Sequence, residues 1–274
     1  MMLNFSLNWF DYLSLFLIIF VGIPHGALDG AISVTLGYSK RFILQLGFFV
    51  TYLSISAFVI IMWYFFPVES LIFFLFISIF HFGCGDLDWE NNKTYLINGY
   101  FQGGLVILGI IFFNRMEVNY FFSVLSGEQL SLLWKCLYLG MLFWLSALIF
   151  IICNLKKMKF SRYYTFLILF ICLVITTLPP LPAFAIYFCF IHSFHHIKRV
   201  VPKLLNFMER RKAISLMITL SVMSWLGGGL ALYYILNLDI FPNAILKVTF
   251  IGLAALTFPH MILVDGFFRS KYKI

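Results

Sequence analysis

Apolar residues run through this chain in long blocks, and polar residues fall in short clusters between them. Blocks long enough to cross a bilayer, about 20 residues each, lie at 12–36, 42–65, 68–85, 95–114, 131–154, 162–179, 183–201, 213–236 and 244–267. The pattern predicts an all-α fold, a polytopic transmembrane helix bundle of about eight or nine spans that occupies residues 1–274 as a single domain. The third and sixth blocks are short, so eight spans or one re-entrant segment fit as well as nine. The longest polar connections are 86–94, 115–130 and 198–212. No solenoid-type repeat, low-complexity tract or long linker interrupts the series.

Charge gives the bundle a direction. With nine spans, all of the 19 Lys and Arg residues except Arg115, Lys135 and Lys247 fall on one side, the side that also holds the C-terminus. The positive-inside rule makes that side cytoplasmic and places the N-terminus outside. Composition agrees: 62% of residues are hydrophobic and 11% charged, against about 25% charged in soluble domains. The net charge of +8 comes from topological clusters rather than a continuous groove, which excludes a nucleic-acid partner. The first span has no basic leader and no small-residue cleavage site, so it reads as retained. The five cysteines are scattered and odd in number, and form neither a disulfide framework nor a CxxC metal site.

Polar residues inside the membrane are costly and mark function. All six histidines, His25, His81, His192, His195, His196 and His260, fall within spans one, three, seven and nine. Those spans run in the same direction, and each histidine sits past the middle, so the six share a depth in the cytoplasmic half. His192 and His196 are four residues apart, on one face of a helix. With His25 and His81 they make an all-imidazole metal site, of a kind that favours Fe, Cu, Zn or Ni over Mg or Ca. A lone intramembrane histidine is more often a packing residue, and the case rests on the set. His195 lies about 100° around the helix from His196 and reads as structural.

Carboxylates accompany the histidines. Asp29 follows His25 by four residues in "GIPHGALDG", where it can accept the second ring N–H and fix the tautomer. Pro24 interrupts helical hydrogen bonding there, and Gly22, Gly26 and Gly30 admit a close neighbour. Asp86 and Asp88 follow His81, and Asp265 follows His260. A step of five residues turns about 140° on a regular helix, so direct pairing in these cases needs an irregular turn. Asp265 reads as a solvated helix end. The chain holds 35 Phe, 14 Tyr and 6 Trp residues; most suit lipid or packing, and a ring-lined slot for a flat hydrocarbon is a further use. Trp9, Tyr12, Trp63, Tyr64 and Trp89 read as interfacial belt residues. "QGG" at 102–104 and "LGGGL" at 226–230 suggest tight helix contacts or room for a ligand. No substrate-binding residue can be named from the sequence.

The motifs "GIPHGALDG", "HFGCGD", "HSFHH" and "PHMILVD", in this order along nearly the whole chain, resemble the Brp/Blh family of β-carotene 15,15'-dioxygenases. The resemblance implies a membrane enzyme of a single catalytic domain that cleaves the central double bond of β-carotene, or a related carotenoid, to two molecules of retinal. It implies Fe(2+) as cofactor, O₂ as co-substrate, a bacterial cytoplasmic (inner) membrane, and retinal hand-over to a rhodopsin. It carries iron ligation to His25, His81, His192 and His196. Asp29, Asp86, His260 and His195 stand as supporting or further site residues. Three other classes compete. A di-iron desaturase or hydroxylase shares the HxxHH pattern but uses about eight histidines. A bis-histidine haem protein would show a Soret band. A His/Asp proton relay or transporter would move ions without forming product.

Overall fold

The computed structural model describes residues 6–86, 95–154 and 162–269. Among them every regular element is helical. The α-helices are α1 (Trp9–Leu17), α2 (Asp29–Leu36), α3 (Phe42–Phe65), α4 (Pro67–Asp86), α5 (Tyr95–Phe113), α6 (Arg115–Ser126), α7 (Ser131–Cys153), α8 (Arg162–Thr177), α9 (Pro180–Ile186), α10 (Ser193–Leu204), α11 (Arg210–Ile235) and α12 (Phe241–Met261). Three π segments, Ile18–Gly22, Tyr187–His192 and Ile262–Phe268, and a 3₁₀ turn, Ile23–Leu28, break their regularity. Asp88, Trp89 and Lys93, the connection carrying Lys156, Lys157 and Lys159, and Lys271 and Lys273 lie outside the described residues.

Among the described residues seven helical stretches are long and apolar enough to cross a membrane: Trp9–Leu36, Phe42–Phe65, Pro67–Asp86, Tyr95–Phe113, Ser131–Cys153, Arg210–Ile235 and Phe241–Phe268. They coincide with the first five and last two apolar blocks. The sixth block forms the shorter apolar helix α8. The seventh is divided into α9, a π segment and α10. The outer surface is apolar, with Phe42 80% and Phe166 67% exposed, as a lipid-facing wall requires.

Two connections prove more ordered than their polarity suggests. Residues 115–130 contain helix α6, which buries Val118, Phe121, Phe122 and Leu125. That is the i, i+3, i+4, i+7 stripe of an amphipathic helix, masked by the polar residues around it. Helix α10 likewise continues to Leu204, burying Val200 and Leu204 one turn apart. Two of the three minority-side cations have local partners. Arg115 stacks over Trp134 at 5.1 Å, and Lys247 bonds Asp239 at 2.6 Å.

The contacts divide the chain into two compact units. The first comprises Met1–Ser14 and Val68–His192. Here α5 is the centre, touching α7, α8 and α9. Helices α4 and α5 meet backbone to backbone. A Cβ on Gly83 would fall 1.7 Å from the Gly99 carbonyl oxygen, and one on Gly103 1.8 Å from that of Ile79. Only glycine permits this approach. At Gly104 the Trp144 indole fills the space, and its Nε1–H donates to the Phe101 carbonyl at 2.8 Å. The tight contact expected at "QGG" is therefore present.

The second unit comprises Leu15–Pro67 and Ser193–Ile274. Helix α3 packs on α12, and α11 packs on α2, α12 and the 3₁₀ turn. Leu28, Ile32, Val200, Leu204, Leu263 and Phe268 form its buried core. Gly30 sits against Leu220, which a Cβ would strike at 2.6 Å. At "LGGGL" there is open space rather than a tight contact: a Cβ on Gly227 or Gly229 would meet nothing within 4 Å, and both are exposed on α11. Trp63, read as an interfacial residue, is buried at 4% exposure, while Trp9 and Tyr64 are exposed.

Candidate functional site

In the first unit, His81 on α4 and His192 at the end of the second π segment face each other, their ring centroids 4.9 Å apart at 66°. Asp86, the last residue of α4, receives the His192 Nδ1–H on Oδ1 at 2.7 Å. Tyr187 donates its hydroxyl to the other oxygen, Oδ2. Tyr187 and His192 are five residues apart. An α-helix would turn them about 140° from each other, whereas i→i+5 bonding in a π turn brings such positions to one side. The π segment is thus what lets one helical stretch grip both oxygens of one carboxylate. Aromatic rings enclose the group. Phe82 lies edge-on to His192 at 4.7 Å, and Phe184, Phe188 and His192 form a near-parallel ladder at 5.4 and 6.0 Å.

In the second unit, His25 on the 3₁₀ turn, His196 on α10 and His260 near the end of α12 form a triangle of rings. The centroids are 5.3 Å apart for His25–His196, 5.4 Å for His25–His260 and 5.1 Å for His196–His260. Asp29 receives the His260 Nδ1–H on Oδ1 at 2.8 Å and the Tyr52 hydroxyl on Oδ2 at 2.8 Å. His25 gives its Nδ1–H to the Gly22 carbonyl, and Ser193 Oγ lies 3.1 Å from the same nitrogen. His25, His81, His192, His196, His260, Asp29 and Asp86 are all buried.

The structure thus pairs His81 with His192 within one unit and groups His25, His196 and His260 within the other. His195 is half-buried, beside the Phe194 ring at 6.4 Å. Asp29 corrects the sequence reading: its oxygens serve His260 and Tyr52, not His25. The cause is local. Residues 23–28 follow a 3₁₀ path, where a step of four turns about 120° from the starting face instead of returning to it. No irregular turn forms between His81 and Asp86. Helix α4 is regular through this stretch, and the carboxylate is taken by His192. Asp265 lies in the third π segment, 3.8 Å from Arg269. Sequence reasoning missed Tyr187, Tyr52 and Ser193. Tyr187 could have been found only by knowing the π register. Tyr52 is 208 positions from His260 in sequence, and no periodicity announces it.

Imidazole nitrogens are donors that Fe, Cu, Zn and Ni favour. Among the described residues no three His, Cys, Asp or Glu side chains form a group that could hold a metal ion, and what speaks for ligation is the tautomer of the rings. Where Nδ1–H is donated to a carboxylate or carbonyl, as in His25, His192 and His260, Nε2 carries the lone pair. Metal-bound histidines characteristically make this outward bond. Buried carboxylates also call for a compensating positive charge.

Fold and site together define a polytopic helical protein whose carboxylate-backed histidines are buried in apolar surroundings. More narrowly, the chain belongs to the beta-carotene 15,15'-dioxygenase family, whose model matches residues 16–268. It is 37% identical over 271 residues to a beta-carotene 15,15'-dioxygenase from the uncultured marine bacterium 66A03, covering 96% of this chain and 97% of that protein. No solved structure matches it.

Proposed function

We propose that this chain is a membrane enzyme that cleaves the central 15,15' double bond of β-carotene with O₂. One C=C bond and one O₂ become two C=O groups, giving two molecules of retinal. The family match carries the reading, because residues 16–268 include all six histidines. The near-full-length relative with that activity in its name supports it.

The cofactor is Fe(II), with His25, His81, His192 and His196 as its ligands. Iron supplies the activation of O₂ that protein side chains lack. The protein's own groups position and shield. Asp86 holds the His192 Nδ1 proton and so fixes the ring's orientation, and Tyr187 keeps that carboxylate from turning. Phe82, Phe184 and Phe188 keep water from His192. The substrate partitions into lipid and enters from the bilayer. The enzyme resides in the bacterial cytoplasmic membrane with its C-terminus inside, and its product is handed to a rhodopsin.

The test is expression in cells that accumulate β-carotene, followed by pigment extraction. The orange pigment is lost and retinal accumulates, while a His192→Ala chain present at the same level leaves β-carotene intact. Unchanged pigment with the folded parent chain in the membrane contradicts the proposal.

A further inference from the structure

Six of the 19 Lys and Arg residues fall within residues 198–212, with Glu209 as the one acid among them. Lys198, Arg199 and Lys203 lie on α10, and Arg210, Arg211 and Lys212 open α11. Both helices belong to the second unit. Val200 and Leu204 of α10 and Ala213 of α11 share its buried core, so the cations ride on packed helices. The turn between them is tight, with the Leu204 carbonyl accepting the Phe207 and Met208 amides at 2.9 and 3.1 Å. Like charges are thereby held together. Arg199 and Lys203 are four residues apart on one helix face. Partial burial, and after it the Arg199 guanidinium, hold the Lys203 ammonium below the ordinary lysine pKa. Asp265, between the core residues Val264 and Phe268, is engaged by Arg269 at 3.8 Å. Exposed apolar residues alternate with the cations: Ile197 on α10, Leu205 and Phe207 in the turn, and Ile214 on α11.

We infer that this basic end of the second unit is a binding surface for the headgroups of anionic phospholipids. Crowded cations repel one another, and lipid phosphates supply the charge that relieves them. Leu205 and Phe207, 40% and 56% exposed, decide the source of the phosphate. A soluble anion would leave both side chains in water, whereas a bilayer takes them into its interfacial zone beside the headgroups. Lys and Arg stems cover apolar surface while their charged ends reach the phosphates. Cations that served only to orient the chain during insertion would need no fixed arrangement and would show no choice among lipids. The inference is independent of the β-carotene reading and of which face of the membrane carries this end.

The full chain is reconstituted into phosphatidylcholine vesicles with a trace of spin-labelled phosphatidylglycerol or spin-labelled phosphatidylcholine. The motionally restricted fraction of each label is read by electron paramagnetic resonance. At low salt the parent is expected to prefer the anionic label by about fivefold or more, the contribution of one or more cations at a charged lipid surface. The preference falls at high salt, as the charges are screened. Arg199→Gln with Lys203→Gln, and Arg210→Gln with Arg211→Gln, are each expected to lower it by at least about twofold at parental helical content. Arg199→Lys with Lys203→Arg, which keeps the charge, retains it. Lys135→Gln, at an exposed cation of the first unit, leaves it unchanged. Inorganic phosphate at matched ionic strength is expected to leave the parent's preference in place. Equal restriction of the two labels by the parent at low salt, or a preference that persists undiminished in both Gln pairs, overturns the inference. Phosphate that abolishes the preference where chloride does not assigns the surface to a soluble anion and overturns it as well.

Discussion

The two Tyr–Asp–His chains perform one task with different local structure. In the first unit, tyrosine and histidine belong to the same π segment, Tyr187–His192, and the aspartate terminates α4. Two elements suffice. In the second, Tyr52 comes from α3, Asp29 from the start of α2 and His260 from α12. Three elements must be brought together by packing. Tyr187 is 2% exposed, while Tyr52 is half-buried and shares its hydroxyl with the Leu256 carbonyl at 3.3 Å. The same hydrogen-bond pattern is therefore rigid and local in one unit, and assembled and partly divided in the other. Helix irregularity serves both. A π segment carries His192, another ends at Gly22, whose carbonyl takes the His25 proton, and the third starts two residues after His260. Such single-turn π segments concentrate at functional sites.

Substitutions can break or sharpen this contrast. The largest effect is expected at the imidazoles. His192→Ala removes a proposed ligand and abolishes retinal formation, measured by pigment extraction from carotene-producing cells. Next come the supports. Asp86→Asn is expected to lower metal affinity by about 10–100-fold, measured by metal titration. Tyr187→Phe is expected to cost more than Tyr52→Phe, because the half-buried Tyr52 divides its hydroxyl between Asp29 and the Leu256 carbonyl, whereas the buried Tyr187 gives its hydrogen bond to Asp86; the difference is about 1 kcal/mol, read from thermal midpoints in detergent. Equal midpoints for the two variants would remove the distinction drawn here.

Packing gives a second contrast of the same kind. Gly103→Ala places a methyl group against the Ile79 carbonyl and is expected to destabilise the first unit by about 1–3 kcal/mol or more. Gly227→Ala, in open space on α11, is expected to be neutral or to stabilise by up to about 1 kcal/mol. The smallest effect concerns Asp239, outside both chains. Burial raises its pKa, but the bonds from Lys247, Asn243 and Ile240 outweigh this and hold it below the ordinary carboxylate value. Its stabilising contribution is therefore present above the unfolded carboxylate's pKa and is lost as pH falls through the lowered folded value. Being partly exposed, it contributes below about 1 kcal/mol. Asp239→Asn should flatten the acid limb of the stability profile by no more than that.

Much of the fold was legible because hydropathy over twenty residues is a strong signal. Seven of the nine apolar blocks correspond to helices able to span a membrane. Helix α6 escaped because its apolar stripe is only one side of a polar segment. The irregular turns escaped because nothing in composition distinguishes i→i+5 from i→i+4 bonding. The choice of Asp29 and Asp86 as supports was legible, since a carboxylate in an apolar run must serve some partner. The partner of Asp29 was not, because a 3₁₀ turn moved it off the His25 face and a residue 231 positions away took its place.

The account depends most on metal held by carboxylate-backed imidazoles acting on β-carotene. The direct measurement is retinal formation by the purified chain in detergent micelles, before and after chelation and after adding back Fe(II), with metal content determined alongside. The account predicts one metal ion per chain, loss of retinal formation on chelation, and its return with Fe(II). Retinal formed at the parent rate by metal-free protein would contradict it.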